Sequence, residues 1–193
     1  MSRTNKTVTI VTGLPRSGTS MMMKMLEAGG LPPLVDGLRV ANEDNPRGYY
    51  EYEPVKRTKE DPSWLEQAGS KVVKMVYRLI YDLPQDYDYH LIYMRRRMDE
   101  ILASQEAMLR RENRWSDEIS DEVMGRLYNS ELKKFDAWLI GQKSIRVSQV
   151  WFNDLMQNAP TVLQSLNEDL GGILNVGEML QVIDPALYRN RRQ

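Results

Sequence analysis

Two kinds of apolar pattern alternate along the chain. Short apolar runs, most of them rich in β-branched residues and the first of them without any charge, predict four buried strands. They cover residues 7–12, 71–76, 90–94 and 144–150. Between them, apolar residues recur at spacings of three and four, which is typical of amphipathic helices. Alternating strands and helices predict an α/β fold: a parallel sheet of about four to five strands flanked by helices.

The helical periodicity also predicts which residues face the core. The predicted helices cover residues 20–28, 53–67 with a break near Asp61-Pro62, a segment from Met98 to Leu109, and residues 117–140, 161–170 and 176–183. In the helix over 117–140, the apolar face includes Ile119, Val123, Leu127, Leu132 and Phe135. The methionines between Met21 and Met25 are predicted to pack in the core rather than to bind a ligand.

The composition limits the classes of function. The chain of 193 residues has a net charge of −1, no cysteine and one histidine, His90. It therefore has no disulfides and no metal site built on cysteine, and it does not resemble a dedicated nucleic-acid binder. No signal peptide or bilayer-spanning run is found, which predicts a cytoplasmic protein without a membrane partner. No linker or repeat divides residues 1–193, so a single domain is expected. The oligomeric state is left open.

The most informative stretch joins the first predicted strand to the first predicted helix. Gly13 and Gly18 have the Gly-x-x-x-x-Gly spacing of the P-loop, but no lysine follows Gly18. A cation stands inside the loop instead, at Arg16. Backbone N–H groups of such a loop and the helix N-terminus form a cradle for phosphate. The candidate phosphate-binding residues are Pro15, Arg16, Ser17, Gly18, Thr19 and Ser20.

A second basic motif follows the third predicted strand. Arg95, Arg96 and Arg97 end that strand, and Ser104 comes eight residues after Arg96. A strand end places an arginine rigidly, and its guanidinium can bind a phosphate through two parallel hydrogen bonds. Strand ends of a parallel sheet share one edge, so we expect Gly13, Lys74 and the arginines to converge there.

These two motifs together resemble a known family. The string Pro-Arg-Ser-Gly-Thr-Ser resembles the 5′-phosphosulfate loop of sulfotransferases that use 3′-phosphoadenosine 5′-phosphosulfate (PAPS), and Arg96 with Ser104 resembles their 3′-phosphate segment. The chain looks most similar to the compact bacterial-type enzymes. The resemblance implies a P-loop NTPase-like sulfotransferase fold, PAPS as co-substrate and no metal. It also implies transfer of a sulfuryl group to the hydroxyl or amine of a small molecule, glycan or peptide.

The same resemblance suggests catalytic roles. Arg16 is the candidate for stabilising the bridging oxygen as its bond to sulfur breaks, and Lys74 is similar to an active-site lysine of the cytosolic enzymes. Those enzymes have a catalytic histidine where this chain has Val76, and their final Arg-Lys-Gly motif is not present. Related sulfotransferases carry a catalytic glutamate after the first helix, near the position of Asp36. Asp36 is therefore the candidate base, with Glu43, Asp44 and Glu51 as alternatives in the same irregular segment.

Two other functions remain open on the sequence. A P-loop nucleotide kinase or NTPase would need a lysine after Gly18 and an acidic strand end for Mg²⁺, whereas the strand ends here carry lysine and arginine. A non-catalytic nucleotide-binding relative would keep the phosphate sites without a base.

Overall fold

The computed structural model describes residues 7–38, 48–116 and 118–184. Its sheet contains β1 (Thr7–Gly13), β2 (Val72–Lys74), β3 (Asp88–Arg95) and β4 (Ile145–Trp151). All neighbouring pairs are parallel and the order is β2-β1-β3-β4. The predicted α/β class with a parallel sheet is confirmed, with four strands in the described residues.

Helices cover both faces of this sheet. They are α1 (Thr19–Ala28), α2 (Met98–Arg111), α3 (Asp121–Ile140), α4 (Phe152–Gln157), α5 (Ala159–Asp169) and α6 (Val176–Gln181). The helix predicted to begin at residue 117 begins at Asp121, because Ser120 Oγ accepts a hydrogen bond from the Val123 N–H and caps the N-terminus. The short α4 after β4 is not indicated by the apolar periodicity.

The segment over residues 53–67 differs from its prediction. Instead of one interrupted α-helix it forms two 3₁₀ turns, Glu53–Arg57 and Ser63–Gln67. Pro54 and Pro62 lie at the start of each turn, and the two five-residue pieces are too short for a stable α-helix. A third 3₁₀ turn, Tyr77–Asp82, follows β2.

The strand predicted over residues 71–76 is also shorter than expected. β2 ends at Lys74, and the chain turns away after Met75 donates its N–H to the Val11 carbonyl. Its outer edge is covered by the chain around Pro33, where Leu34 N–H bonds to the Val72 carbonyl at 2.8 Å. Short covered edges of this kind protect a sheet from pairing with other chains.

The helices bury a separate core on each face. On one face, Phe135 of α3 is fully buried and makes edge contacts with Tyr77 and Tyr93 at ring-centroid distances of 5.6 and 5.4 Å. On the other face, α1 packs against α5 and α6 through Met22, Met23 and Met25, which have no solvent exposure. The structural role predicted for these methionines is confirmed.

The first half of α3 does not face the core as predicted. Ile119, Val123 and Leu127 are 46%, 38% and 53% exposed, whereas Leu132 and Phe135 are buried. The spacing of apolar residues identifies a shared face, but the neighbours decide whether that face is covered. Here the first half of α3 contacts its neighbours through Gly125 and Tyr128, and the positions of Val123 and Leu127 are left exposed.

His90 is buried in a polar chain between β3, β4 and α5. Its Nε2 lies 2.7 Å from Ser148 Oγ, which donates to Asp169 Oδ2 at 2.5 Å. Arg146 donates to the other oxygen of the Asp169 carboxylate. Burial lowers the pKa of His90, the Arg146 charge lowers it further, and Asp169 acts in the opposite direction.

This shift predicts a pH-dependent stability. Below about pH 6.5 the unfolded chain takes up a proton at His90 that the folded chain takes up only at lower pH. The free energy of unfolding is therefore expected to fall as the pH drops from about 6.5 to the folded pKa, by at most about 1.4 kcal/mol per pH unit. Urea denaturation at several pH values measures it. His90→Gln should remove this part of the slope, and an unchanged slope in the variant would contradict the assignment.

Candidate functional site

The carboxyl ends of the four strands meet along one edge of the sheet. The register pairs Gly13 of β1 with Met94 of β3, and Val11 with Lys74 of β2. Arg95 pairs with Trp151 of β4. The three segments expected to converge, after β1, β2 and β3, therefore lie side by side at this edge.

The loop between β1 and α1 has the backbone expected of a phosphate cradle. Gly13, Arg16 and Gly18 have positive φ angles of 152°, 71° and 97°, so the chain bends sharply at three places. The Leu14 carbonyl accepts hydrogen bonds from both the N–H and the hydroxyl of Ser17, which closes the turn. Thr19 and Ser20 form the start of α1, where the first N–H groups have no partner within the helix. The loop can therefore bind an anion at the helix N-terminus.

Gly18 fits this loop because a side chain would meet Phe152. A Cβ at Gly18 would lie 2.6 Å from Phe152 Cδ2, while a Cβ at Gly30, with nearly the same φ of +98°, would meet nothing within 4 Å. Gly30→Ala therefore measures the backbone strain alone. We expect Gly18→Ala to destabilise the fold by about 1–3 kcal/mol more than Gly30→Ala, because of overpacking. Equal free energies of unfolding for the two variants, measured in urea, would contradict the packing assigned to Phe152.

The two sequence motifs are joined by a direct hydrogen bond. Arg16 Nε donates to Ser104 Oγ at 2.9 Å, and Arg16 Nη1 lies 3.9 Å from Met108 Sδ. Ser104 is buried on the side of α2 that faces the loop. The loop arginine and the serine of the second motif therefore belong to one site.

Arg96 connects the end of β3 to the same loop. Its Nη1 donates to the Arg16 carbonyl at 3.1 Å, and its Nε donates to Glu100 Oε2 at 2.9 Å. The guanidinium carbon lies 4.4 Å from the centre of the Phe152 ring. The sequence indicated Arg96 but not its partner Glu100. The signal available in the sequence was the position of Glu100, four residues after Arg96 at the start of a predicted helix.

A cavity of about 490 Å³ opens beside the loop on the β3–β4 side. Its lining includes Leu14, Ser17, Arg96, Ile101, Leu132 and Trp151. The neighbouring arginines carry carboxylate partners: Arg95 donates to Asp136 at 2.9 Å, and Arg97 donates to Asp99 at the same distance. The cavity thus combines apolar walls with a side of arginines, each paired with a carboxylate, next to the loop.

Lys74 lies on the opposite, β2 side of the loop. Its Nζ is 3.4 Å from Ser20 Oγ and also donates to the carbonyl oxygen of Tyr49. The next residue, Tyr50, has a positive φ of 53° and donates its hydroxyl to Glu27 at 2.7 Å. The described part of the irregular segment, residues 48–52, therefore contacts the end of α1 through Tyr50 and the end of β2 through Tyr49. Glu43 and Asp44 lie outside the described residues.

Asp36 lies on the same side, in an exposed turn. Its carboxylate accepts the Glu53 N–H at 2.6 Å and the Leu38 N–H at 3.0 Å. These two hydrogen bonds, the one from Glu53 first, lower its pKa. Its own N–H bonds to the Glu51 carbonyl, so Asp36 and Glu51 are neighbours. Val76, at the position of the histidine in the cytosolic enzymes, is 46% exposed.

The described ranges, 7–38, 48–116 and 118–184, contain no cluster of three or more histidine or acidic side chains that could hold a metal ion. None of their helices is both long and apolar enough to cross a membrane.

Comparison with known proteins shows the fold. No protein-family model and no curated protein matches the chain. Among solved structures, it is similar to the sulfotransferase domain from the curacin biosynthetic pathway, with a TM-score of 0.55 and 14% identity over 95% of this chain and 79% of that one. It is also similar to a sulfotransferase from Alicyclobacillus acidocaldarius, with a TM-score of 0.50 and 14% identity over 94% of this chain and 88% of that one. The chain therefore has the fold of these sulfotransferases.

Proposed function

We propose that this chain is a bacterial-type sulfotransferase that transfers a sulfuryl group from PAPS to a hydroxyl or amine acceptor. The observation that carries the proposal is the meeting of Arg16, Ser104 and Arg96 at the phosphate loop. Two groups of phosphate ligands, 88 residues apart in the chain, are joined by a hydrogen bond of 2.9 Å. A nucleotide with phosphates at both its 5′ and 3′ positions fits such a pair of adjoining sites, and the fold of the two solved sulfotransferases agrees with it.

The strand order divides the site into two sides. The phosphate loop after β1 is central, the cavity with Arg96 and Trp151 lies toward β3 and β4, and Lys74 lies toward β2. We assign the nucleotide to the β3–β4 side, where the arginines after β3 and the apolar wall meet. The acceptor is then assigned to the β2 side, near Lys74 and Asp36.

The proposed reaction is an in-line displacement at sulfur. The acceptor oxygen or nitrogen forms a bond to sulfur while the bond from sulfur to the bridging phosphate oxygen breaks. The electron pair of that bond leaves with adenosine 3′,5′-bisphosphate (3′,5′-ADP), and the acceptor proton passes to a base. Catalysis of this kind depends on positioning and on stabilising charge that develops on the leaving oxygen.

Each predicted residue takes a role in this scheme. The loop N–H groups and the hydroxyls of Thr19 and Ser20 would hold the 5′-phosphosulfate, with Arg16 neutralising the leaving oxygen. Arg96 and Ser104 would bind the 3′-phosphate. Lys74 would contact the transferred group, and Asp36 would accept the acceptor proton. The cytoplasmic location, the absence of a metal requirement and the class of acceptor remain predictions.

The test compares two donors. Incubated with PAPS and excess EDTA, the chain should release 3′,5′-ADP slowly by transfer to water, as measured by chromatography. ATP with Mg²⁺ should not be cleaved. Arg16→Ala serves as the inactive control for contaminating enzymes. Metal-dependent cleavage of ATP would favour a P-loop kinase or NTPase, and binding of 3′,5′-ADP without any cleavage of PAPS would favour a non-catalytic relative.

A further inference from the structure

Glu100 is a fully buried carboxylate at the start of α2, directly beside Arg96. The side chain of Glu100 is 1% exposed and that of Arg96 is 8% exposed. Burying two charges is costly, and a buried ion pair often stabilises a fold no more than apolar residues of similar size. Stability alone therefore does not explain why this position carries a carboxylate.

Both oxygens of the Glu100 carboxylate are used, and for different partners. Oε2 accepts from Arg96 Nε at 2.9 Å, and Oε1 accepts from Asn153 Nδ2 at 3.1 Å. The Asn153 amide oxygen in turn accepts the backbone N–H of Arg97 at 3.2 Å. The chain of hydrogen bonds requires two acceptors at position 100 and both a donor and an acceptor at position 153.

This chain of hydrogen bonds fixes the plane of the Arg96 guanidinium. One edge is held by Glu100, Nη1 is held by the Arg16 carbonyl at 3.1 Å, and one face rests on the Phe152 ring. Phe152 also packs against Gly18 of the phosphate loop. The orientation of Arg96 is thus coupled to the loop and to the start of α4.

We infer that Glu100, supported by Asn153, is a positioning residue that orients Arg96 toward the 3′-phosphate of the nucleotide. The inference rests on the proposed function, because it assigns the ligand of Arg96. If charge alone mattered, Glu100 would weaken the site, since its negative charge cancels that of Arg96 next to an anion. The role that this leaves for the Glu100 carboxylate is to fix the orientation of the Arg96 guanidinium.

The test exchanges hydrogen-bonding groups without changing the fold of the site. Position 100 must accept hydrogen bonds from both Arg96 and Asn153, but the glutamine of Glu100→Gln has only one acceptor and one donor. Its NH₂ group therefore faces the NH₂ group of Asn153. If the Asn153 amide turns over to avoid this, its NH₂ group faces the Arg97 N–H instead. Adding Asn153→Asp restores the three hydrogen bonds described above: the amide oxygen at position 100 accepts from Arg96, and the new amide group donates to the new carboxylate, which still accepts the Arg97 N–H. Glu106→Gln is the matched control, because Glu106 pairs with Arg110 four residues later but at the surface.

The quantity measured is the ratio of the dissociation constants of 5′-AMP and 3′,5′-ADP, determined by calorimetry. Loss of one oriented charged hydrogen bond to the 3′-phosphate should reduce this ratio about tenfold to a hundredfold in Glu100→Gln. The affinity for 5′-AMP should change little. The double variant should recover the ratio, and Glu106→Gln should keep it.

Each outcome decides the inference. If Glu100→Gln keeps the wild-type ratio, or binds 3′,5′-ADP more tightly because a negative charge is gone, Glu100 does not position Arg96. If Glu100→Gln does not fold, Asn153→Ala replaces it, where a reduced ratio supports the inference and an unchanged ratio overturns it. If the wild-type chain itself does not discriminate between the two nucleotides, the proposed function fails, and with it the ligand assigned to Arg96.

Discussion

Arg16→Ala is expected to weaken donor binding and to slow transfer together. The guanidinium lies inside the phosphate loop and donates to Ser104, so its removal takes a cation and a hydrogen-bond donor from the nucleotide site. Removing one preorganised donor to a developing oxyanion typically costs about 10² to 10³ in rate. The affinity for 3′,5′-ADP should fall about tenfold to a hundredfold as well, since a charged hydrogen bond is lost.

Calorimetry with 3′,5′-ADP and initial rates of PAPS cleavage measure the two effects. The substitution keeps a Cβ at the positive φ of position 16, so the backbone strain is unchanged. Arg110→Ala is the matched control, because it removes an exposed arginine of α2 whose contacts are with Glu106 and the Trp115 ring and not with the phosphate loop. If Arg16→Ala keeps the wild-type affinity for 3′,5′-ADP and the wild-type rate, Arg16 has no role in the site.

Asp36→Asn is expected to slow transfer without weakening donor binding. Asp36 lies on the β2 side, whereas we assign the nucleotide to the β3–β4 side, and loss of a general base typically costs about 10² to 10⁴ in rate. The affinity for 3′,5′-ADP should stay within about twofold of the wild-type value. The amide replaces one of the two acceptors that hold the Leu38 and Glu53 N–H groups, so a melting curve must show that the turn remains folded.

Glu51→Gln is the companion variant. Glu51 lies next to Asp36 in the structure, and the sequence analysis gives it as an alternative candidate for the base. Full turnover in Asp36→Asn with a loss in Glu51→Gln would move the base to Glu51 and keep the reaction class. Full turnover in both variants would mean that neither of these two carboxylates removes the proton. The lowered pKa of Asp36 makes this comparison informative, because a carboxylate with a low pKa is a weak general base.

The sequence was most informative where the backbone itself imposes a requirement. The loop after β1 could be predicted because glycines at positions 13 and 18 allow positive φ angles, and because a strand precedes them and a helix follows. The convergence with Arg96 could be predicted because parallel strands place their ends at one edge. These inferences depend on neighbours in the chain and on topology.

The parts that could not be predicted depend on contacts between distant residues. Nothing in the spacing of Glu100 and Asn153 shows that their side chains bond to each other, since 53 residues separate them. The exposure of Val123 and Leu127 has the same origin: periodicity gives an apolar face of α3, and only the packing shows that these two positions are not covered. The hydrogen bonds that Asp36 accepts from the turn at Glu53 could likewise not be predicted from the sequence.

The central claim is that the site binds a nucleotide through a 3′-phosphate as well as a 5′-phosphate. The most direct measurement is calorimetry of the wild-type chain with 3′,5′-ADP and with 5′-AMP at matched concentrations in excess EDTA. We predict that 3′,5′-ADP binds at least about tenfold more tightly and, at a hundredfold excess over its Kd, raises the free energy of unfolding by about 2.7 kcal/mol. Equal affinities for the two nucleotides, or binding of 3′,5′-ADP that is lost on chelation of metal, would contradict the account.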